Sequence, residues 1–137
     1  MRIVFIGCVS FSQSILDTLI NIKDIKIVGI ITKSKSSFNS DFKDLSITAI
    51  ENNIPFIYAD DINSNNNVNW INSLNPDIIY CIGWSSLIKE KILGLAPKGV
   101  IGYHPALLPE NRGRHPIIWA IILGLKKTGS TFFKMNT

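Results

Sequence analysis

Apolar residues along this chain follow two rhythms. Short, largely apolar runs at residues 2–6, 25–32, 56–58, 78–82 and 100–103 are the pattern of strands, those at 25–32, 78–82 and 100–103 reading as buried. Between them the spacing lengthens. Phe11, Ile15, Leu16, Leu19 and Ile20 recur at helical intervals over 10–20, with Ser10 or Ser12 available as cap. A modest helix is expected over 44–50. Another spans 68–74, with Trp70, Ile71 and Leu74 on its inner face. Ser85 or Ser86 is placed to cap a helix through Leu93, and Pro116 opens one that runs through Leu123 and stops at Gly124. Residues 129–135 read as a terminal strand. Residues 33–40 lose all periodicity and read as an exposed, mobile loop, and the asparagine-rich 60–67 reads as a linker. Strand and helix in repeated alternation predict an α/β fold: a doubly wound, mostly parallel sheet with helices on both faces.

Composition narrows the class. At 137 residues, 46% hydrophobic and 18% charged, the chain fits one globular domain with a substantial core. A net charge of +4 suits anionic ligands, but the charges are scattered and form no basic block that would mark nucleic acid. Cys8 and Cys81 are too few and too far apart for a disulfide framework or a metal site, and read as buried free thiols. No apolar stretch reaches the length of a membrane span or a secretory signal, so a cytoplasmic protein is expected. The turn Gly7-Cys8-Val9-Ser10-Phe11 lacks the further glycines of a dinucleotide fingerprint and the lysine of a phosphate loop. It reads as structural.

Candidate chemistry collects at 99–116, Gly-Val-Ile-Gly-Tyr-His-Pro-Ala-Leu-Leu-Pro-Glu-Asn-Arg-Gly-Arg-His-Pro. Pro105 ends the strand and biases His104 to extended geometry. His104 is thereby a titratable group at the carboxyl end of a strand, where ligands bind in open α/β sheets. Arg112 and Arg114 follow in the same loop, and their guanidinium forks suit phosphate or carboxylate. His115, just before Pro116, marks a helix entrance.

His104-Pro-Ala-Leu-Leu-Pro109, Arg112-Gly113 and Pro116-Ile-Ile-Trp-Ala-Ile121 together resemble the signature of the folate-dependent formyltransferases, of the methionyl-tRNA or nucleotide-sugar N-formyltransferase type. The similarity runs from Met1-Arg-Ile-Val-Phe-Ile-Gly7 to Thr128-Gly-Ser-Thr131. It implies a Rossmann-like sheet and transfer of a formyl group from 10-formyltetrahydrofolate to an amine. His104 matches the catalytic histidine of the family. Ala106, Leu107, Leu108 and Pro109 match the segment bordering the folate, and Gly83, Trp84, Ser85 and Leu87 resemble the segment that receives its pterin. The implied acceptor is a nucleotide-linked amino sugar or methionyl-tRNA, approached by Arg112 and Arg114, with no metal and a possible homodimer.

Two departures from the family pattern stand out. An asparagine that donates to the formyl oxygen is usual two residues before the histidine, and here that position is Gly102; backbone N–H groups, Asn111 or a residue outside this sequence are the substitutes. Tyr103, between them, falls on the opposite face of the strand. The family aspartate that orients the histidine follows the strand resembled by Phe132-Phe133-Lys134-Met135, beyond Thr137. The expectation is therefore that residues 1–137 form an N-terminal catalytic domain lacking its C-terminal end, inactive alone. The alternative is an inactive folate- or nucleotide-binding module that retains the fold.

Overall fold

A computed structural model of the chain describes residues 1–36 and 40–136. Six strands, β1 (Arg2–Ile6), β2 (Lys26–Thr32), β3 (Phe56–Tyr58), β4 (Ile78–Cys81), β5 (Val100–His104) and β6 (Thr131–Lys134), form one sheet in the order β3-β2-β1-β4-β5-β6. The first five are mutually parallel, and β6 pairs antiparallel with β5. Five helices connect them: α1 (Ser10–Ile20), α2 (Ser46–Glu51), α3 (Asn65–Ser73), α4 (Glu90–Leu93) and α5 (Pro116–Ile122).

Two-sided burial holds for β1, β2 and β4, while β3 at the sheet edge is half-buried with Tyr58 exposed and β5 is partly buried. Ile3, Phe5, Ile27, Ile30 and Ile78 face Leu16 and Leu19 of α1 and Ala49 of α2. Val4, Ile6, Val28, Ile31, Ile79, Cys81 and Val100 face Ile71 of α3 and Ile92 of α4. Trp70 and Leu74, half-buried, close that second layer as the helical spacing anticipated. Each fully buried Ile or Leu contributes about 1.5–3 kcal/mol of transfer free energy, so the two layers fix the strand register.

Several boundaries differ from the sequence reading, each for a local reason. The first helix is capped by neither serine; Val9 holds the N-cap position. Ser10 Oγ donates instead to Asp41 O, and Ser12 is buried in contacts described below. α2 starts at Ser46 because Asp44 Oδ1 accepts from Ser46 N–H at 2.8 Å, an Asx turn that delays the helix. α3 begins inside the asparagine-rich stretch, with Ser64 Oγ accepting from Asn67 N–H. No helix starts at Ser85 or Ser86. Residues 84–88 are irregular, and α4 begins only after Lys89, whose backbone is extended. Of the expected loop at 33–40, residues 37–39 lie outside the described residues.

α5 ends as expected at Gly124, whose N–H donates to Ile121 O while Leu125 N–H donates to Ala120 O, a Schellman closure. The helix is apolar nearly all round, yet Ala120 is its only buried residue. Ile121 is 74% exposed. No helix among the described residues is long and apolar enough to cross a membrane.

Candidate functional site

Three parallel strands, β1, β4 and β5, deliver their carboxyl ends to one edge of the sheet. The chain leaving β1 is sealed against the chain leaving β4. Ser12 Oγ donates to Ile82 O at 2.6 Å and accepts from Val9 N–H at 3.3 Å, so one buried hydroxyl joins both turns. Cys8 Sγ donates to Gly83 O at 3.4 Å. Gly83 has φ +66°, and a Cβ there would collide with Val9 and lie 2.5 Å from Ser12 Oγ, so only glycine fits the turn. Residues 41–43 cover the outside: Val9 bridges Phe42, and Lys43 N–H donates to Cys8 O. Burial pushes the Cys8 thiol up despite the opposing charge of Lys33. Burial also drives Cys81 up to about 12, with Cys8 adding to the rise. Both are protonated, enclosed thiols. Gly7, Cys8 and Val9 of the first turn are thus buried in structural contacts, while Ser10 and Phe11 at the start of α1 are exposed.

The segments that follow β4 and β5 hold most of the residues singled out by sequence. The β4 wall carries Gly83, Trp84, Ser85 and Leu87. Trp84 is half-buried with its ring 4.9 Å beneath the Lys33 ammonium, and its Nε1 is enclosed without a partner. Leu87 is 77% exposed. The β5 wall starts at His104, half-buried at the last strand position. Its Nε2 lies 3.0 Å from the carbonyl oxygen of Asn111. A carbonyl only accepts, so this contact puts a hydrogen on Nε2 and makes Nδ1 the basic nitrogen of the neutral ring.

The loop after His104 is shaped by its own sequence and by β6. The Leu108–Pro109 peptide is cis, and Glu110 N–H donates to Leu107 O. Thr131, paired opposite His104 in β6, donates its hydroxyl to Ala106 O at 2.8 Å and accepts from Leu108 N–H at 3.2 Å. Ala106 is buried and Leu107 is 53% exposed. Asn111 adopts φ +50°, the left-handed region that asparagine tolerates, which turns its carbonyl towards the histidine. Arg112 and Arg114 are exposed farther along the same loop. His115, at φ 57°, is the N-cap residue of α5, in line with its reading as a helix entrance.

Gly102 is closely covered. A Cβ at this position would lie 2.6 Å from Met135 Cε and 2.8 Å from Phe133 Cζ. An asparagine side chain has no room here while those two residues stay in place. Tyr103 lies on the opposite face as strand alternation requires, stacked at 4.4 Å on Phe11 and 5.1 Å from Phe132. Sequence reasoning missed Thr131, the Asn111 carbonyl and Ser12. Only the register of β6 against β5 exposes Thr131, and no local pattern announces it.

The sequence profile of the formyl transferase family matches residues 1–137. Among curated proteins, the chain is 34% identical over 139 residues to a methionyl-tRNA formyltransferase of Thermotoga neapolitana, covering 98% of this chain and 44% of that protein. It is also 34% identical to the methionyl-tRNA formyltransferase of Clostridioides difficile, over 99% of this chain and 45% of that protein. Among solved structures, glycinamide ribonucleotide transformylase 1 of Geobacillus kaustophilus superposes with a TM-score of 0.80 at 17% identity, over 99% of this chain and 74% of that one. A formyltetrahydrofolate deformylase of Pseudomonas syringae superposes at 0.71 and 17% identity, over 98% of this chain and 46% of that one. The chain spans less than half the length of these curated relatives.

Proposed function

Because the chain belongs to the formyl transferase family, we propose that it serves formyl transfer from 10-formyltetrahydrofolate to a primary amine, with the segments that follow β4 and β5 as the site. The observation that carries this reading is His104 at the strand end, oriented by Asn111 O. The donor supplies an activated formyl carbon on a nitrogen that leaves once protonated. His104 handles the protons: Nδ1 takes one from the attacking amine, and the resulting imidazolium returns one to the departing folate nitrogen. Amine nitrogen and formyl carbon join, the bond from that carbon to the folate nitrogen breaks, and the histidine ends as it began.

Support for the donor site comes from its surroundings. Leu87 and Leu107 are exposed apolar side chains suited to a flat heterocycle, beside Trp84, which packs on the core with Lys33 over its ring. Gly83, Ser85, Ala106, Leu108 and Pro109 complete the two walls in this reading. Gly102 carries no donor for the oxygen that gains charge, so that task falls to backbone N–H groups or to residues outside this sequence. Residues 1–137 are read as the N-terminal part of a catalytic domain.

Arg112 and Arg114 favour a phosphate-bearing acceptor, and a nucleotide-linked amino sugar is the acceptor proposed. A second reading, methionyl-tRNA, is favoured by the names of the relatives at 34% identity. The test supplies the protein with 10-formyltetrahydrofolate and each acceptor in turn, and follows tetrahydrofolate release by absorbance. Turnover with the nucleotide-linked amino sugar and not with the aminoacyl-tRNA is expected, at a rate that for residues 1–137 on their own is very low or nil. Turnover with the aminoacyl-tRNA alone selects the second reading, and donor binding with no turnover on any amine leaves a binding module.

A further inference from the structure

The asparagine-rich stretch, which sequence suggests is a linker, makes a specific two-bond contact with the β4 wall. Asn63 Nδ2 donates to Leu87 O at 2.8 Å, and Asn63 Oδ1 accepts from Lys89 N–H at 2.8 Å. Bonding to the carbonyl of one residue and the N–H of the second residue after it is what a parallel neighbouring strand does to the residue between. The carboxamide of Asn63 thus stands in for a strand beside Ile88. Both flanks of the contact are anchored in the core: Ile62 is fully buried and Ile88 is buried in the same apolar cluster.

Asn63 is itself fixed from its own side. Asp61 Oδ1 accepts from Asn63 N–H at 3.0 Å, and Asn67 Nδ2 donates to Asp61 O at 2.7 Å. One turn farther on, Lys91 Nζ donates to Asn65 Oδ1 at 3.1 Å. The bonds to Leu87 and Lys89 keep the backbone extended and explain why the expected helix at Ser85 or Ser86 is replaced by a start after Lys89. A serine cap would save one N–H, whereas Asn63 satisfies a carbonyl and an N–H together and leaves Ile88 in the core.

We propose that Asn63 is a positioning residue for folate: it touches no reacting atom but holds the Trp84-to-Leu87 wall in the shape that receives the donor. This rests on the folate reading of the crevice. Pre-forming the wall removes an ordering cost from binding, so loosening it weakens donor affinity and leaves the proton chemistry at His104 untouched.

Two measurements on the full chain test it: amide hydrogen exchange at Leu87, Ile88 and Lys89, and calorimetric titration with 5-formyltetrahydrofolate, a stable isomer of the donor. Asn63→Ala is expected to speed Lys89 exchange at least tenfold and to weaken binding about three- to tenfold. Asn63→Asp, which keeps the acceptor and loses the donor, retains protection at Lys89 and falls between the two in affinity. Asn21→Ala removes a comparable side-chain bond, to Asp17 O at 2.7 Å at the far end of α1, and leaves affinity unchanged. Unchanged exchange in Asn63→Ala overturns the contact. Faster exchange with unchanged affinity overturns the positioning role while the folate reading stands. A parent protein that does not bind the folate overturns both.

Discussion

β1 and β5 flank β4 and end at the same edge of the sheet, but the chain beyond them behaves in opposite ways. After β1, side chains turn inward. Ser12, Val9 and Cys8 spend their polar and apolar contacts on the β4 turn and leave no space at Gly83. After β5, the polar contacts come from outside the crevice: Thr131 fastens the loop from β6, and Asn111 turns a backbone oxygen onto His104. Doubly wound sheets often bind ligands where strand order reverses, here between β1 and β4. In this chain that junction is packed by Val9, Ser12 and Gly83, and the site proposed above lies one strand farther along, at β4 and β5. Topology nominates a crevice; side chains decide whether it is open.

The comparison can be broken experimentally. Its largest consequence is at His104: His104→Ala should lower formyl transfer by about a hundredfold to ten-thousandfold while donor affinity stays within about threefold, read from single-turnover rates and titration. Retained turnover would move the chemistry away from β5. At the sealed junction the effect is on folding. Gly83→Ala places a methyl group against Val9 and Ser12 at a positive φ, and should cost about 2–4 kcal/mol in chemical denaturation. A cost below about 0.5 kcal/mol would mean the junction opens easily.

Ser12→Ala leaves Ile82 O without its hydroxyl donor and should cost about 1–3 kcal/mol, with no change in folate affinity. A loss of affinity comparable to that of Asn63→Ala would make the junction part of the binding site. The smallest effect is a pH slope. Burial raises the Cys8 and Cys81 thiols from their ordinary value of 9.0. Their neutral forms therefore stabilise the fold fully below about pH 9, and this contribution fades as pH rises towards the folded values. Cys81→Ala should flatten the fall in stability across that alkaline window, whatever its effect at neutral pH.

The sheet was legible in the sequence because strands buried on both faces must be largely apolar runs, and the equally apolar 117–123 is set apart as a helix by Pro116 at its start and Gly124 after its end. His104 was legible because Pro105 forces the strand to stop there. The fastenings were not. Asn63 and Thr131 act on backbone groups 24 to 26 and 23 to 25 residues away, and an asparagine in a polar stretch or a threonine in a short strand carries no local mark of its partner. The serines at 85 and 86 look like caps on any scale of helix propensity; a tertiary contact at Leu87 and Lys89 overrules them. The cover on Gly102 was equally hidden, since Phe133 and Met135 meet it only through an antiparallel register.

The Thr131 hydroxyl also sets an order of events during synthesis. The ribosome adds the His104 loop well before the residue that fastens it, so a nascent chain carries the histidine, the prolines and both arginines before Thr131 exists to bond Ala106 and Leu108. The loop after His104 can be fastened at Ala106 and Leu108 only once β6, antiparallel to β5 and later in the chain, has been made.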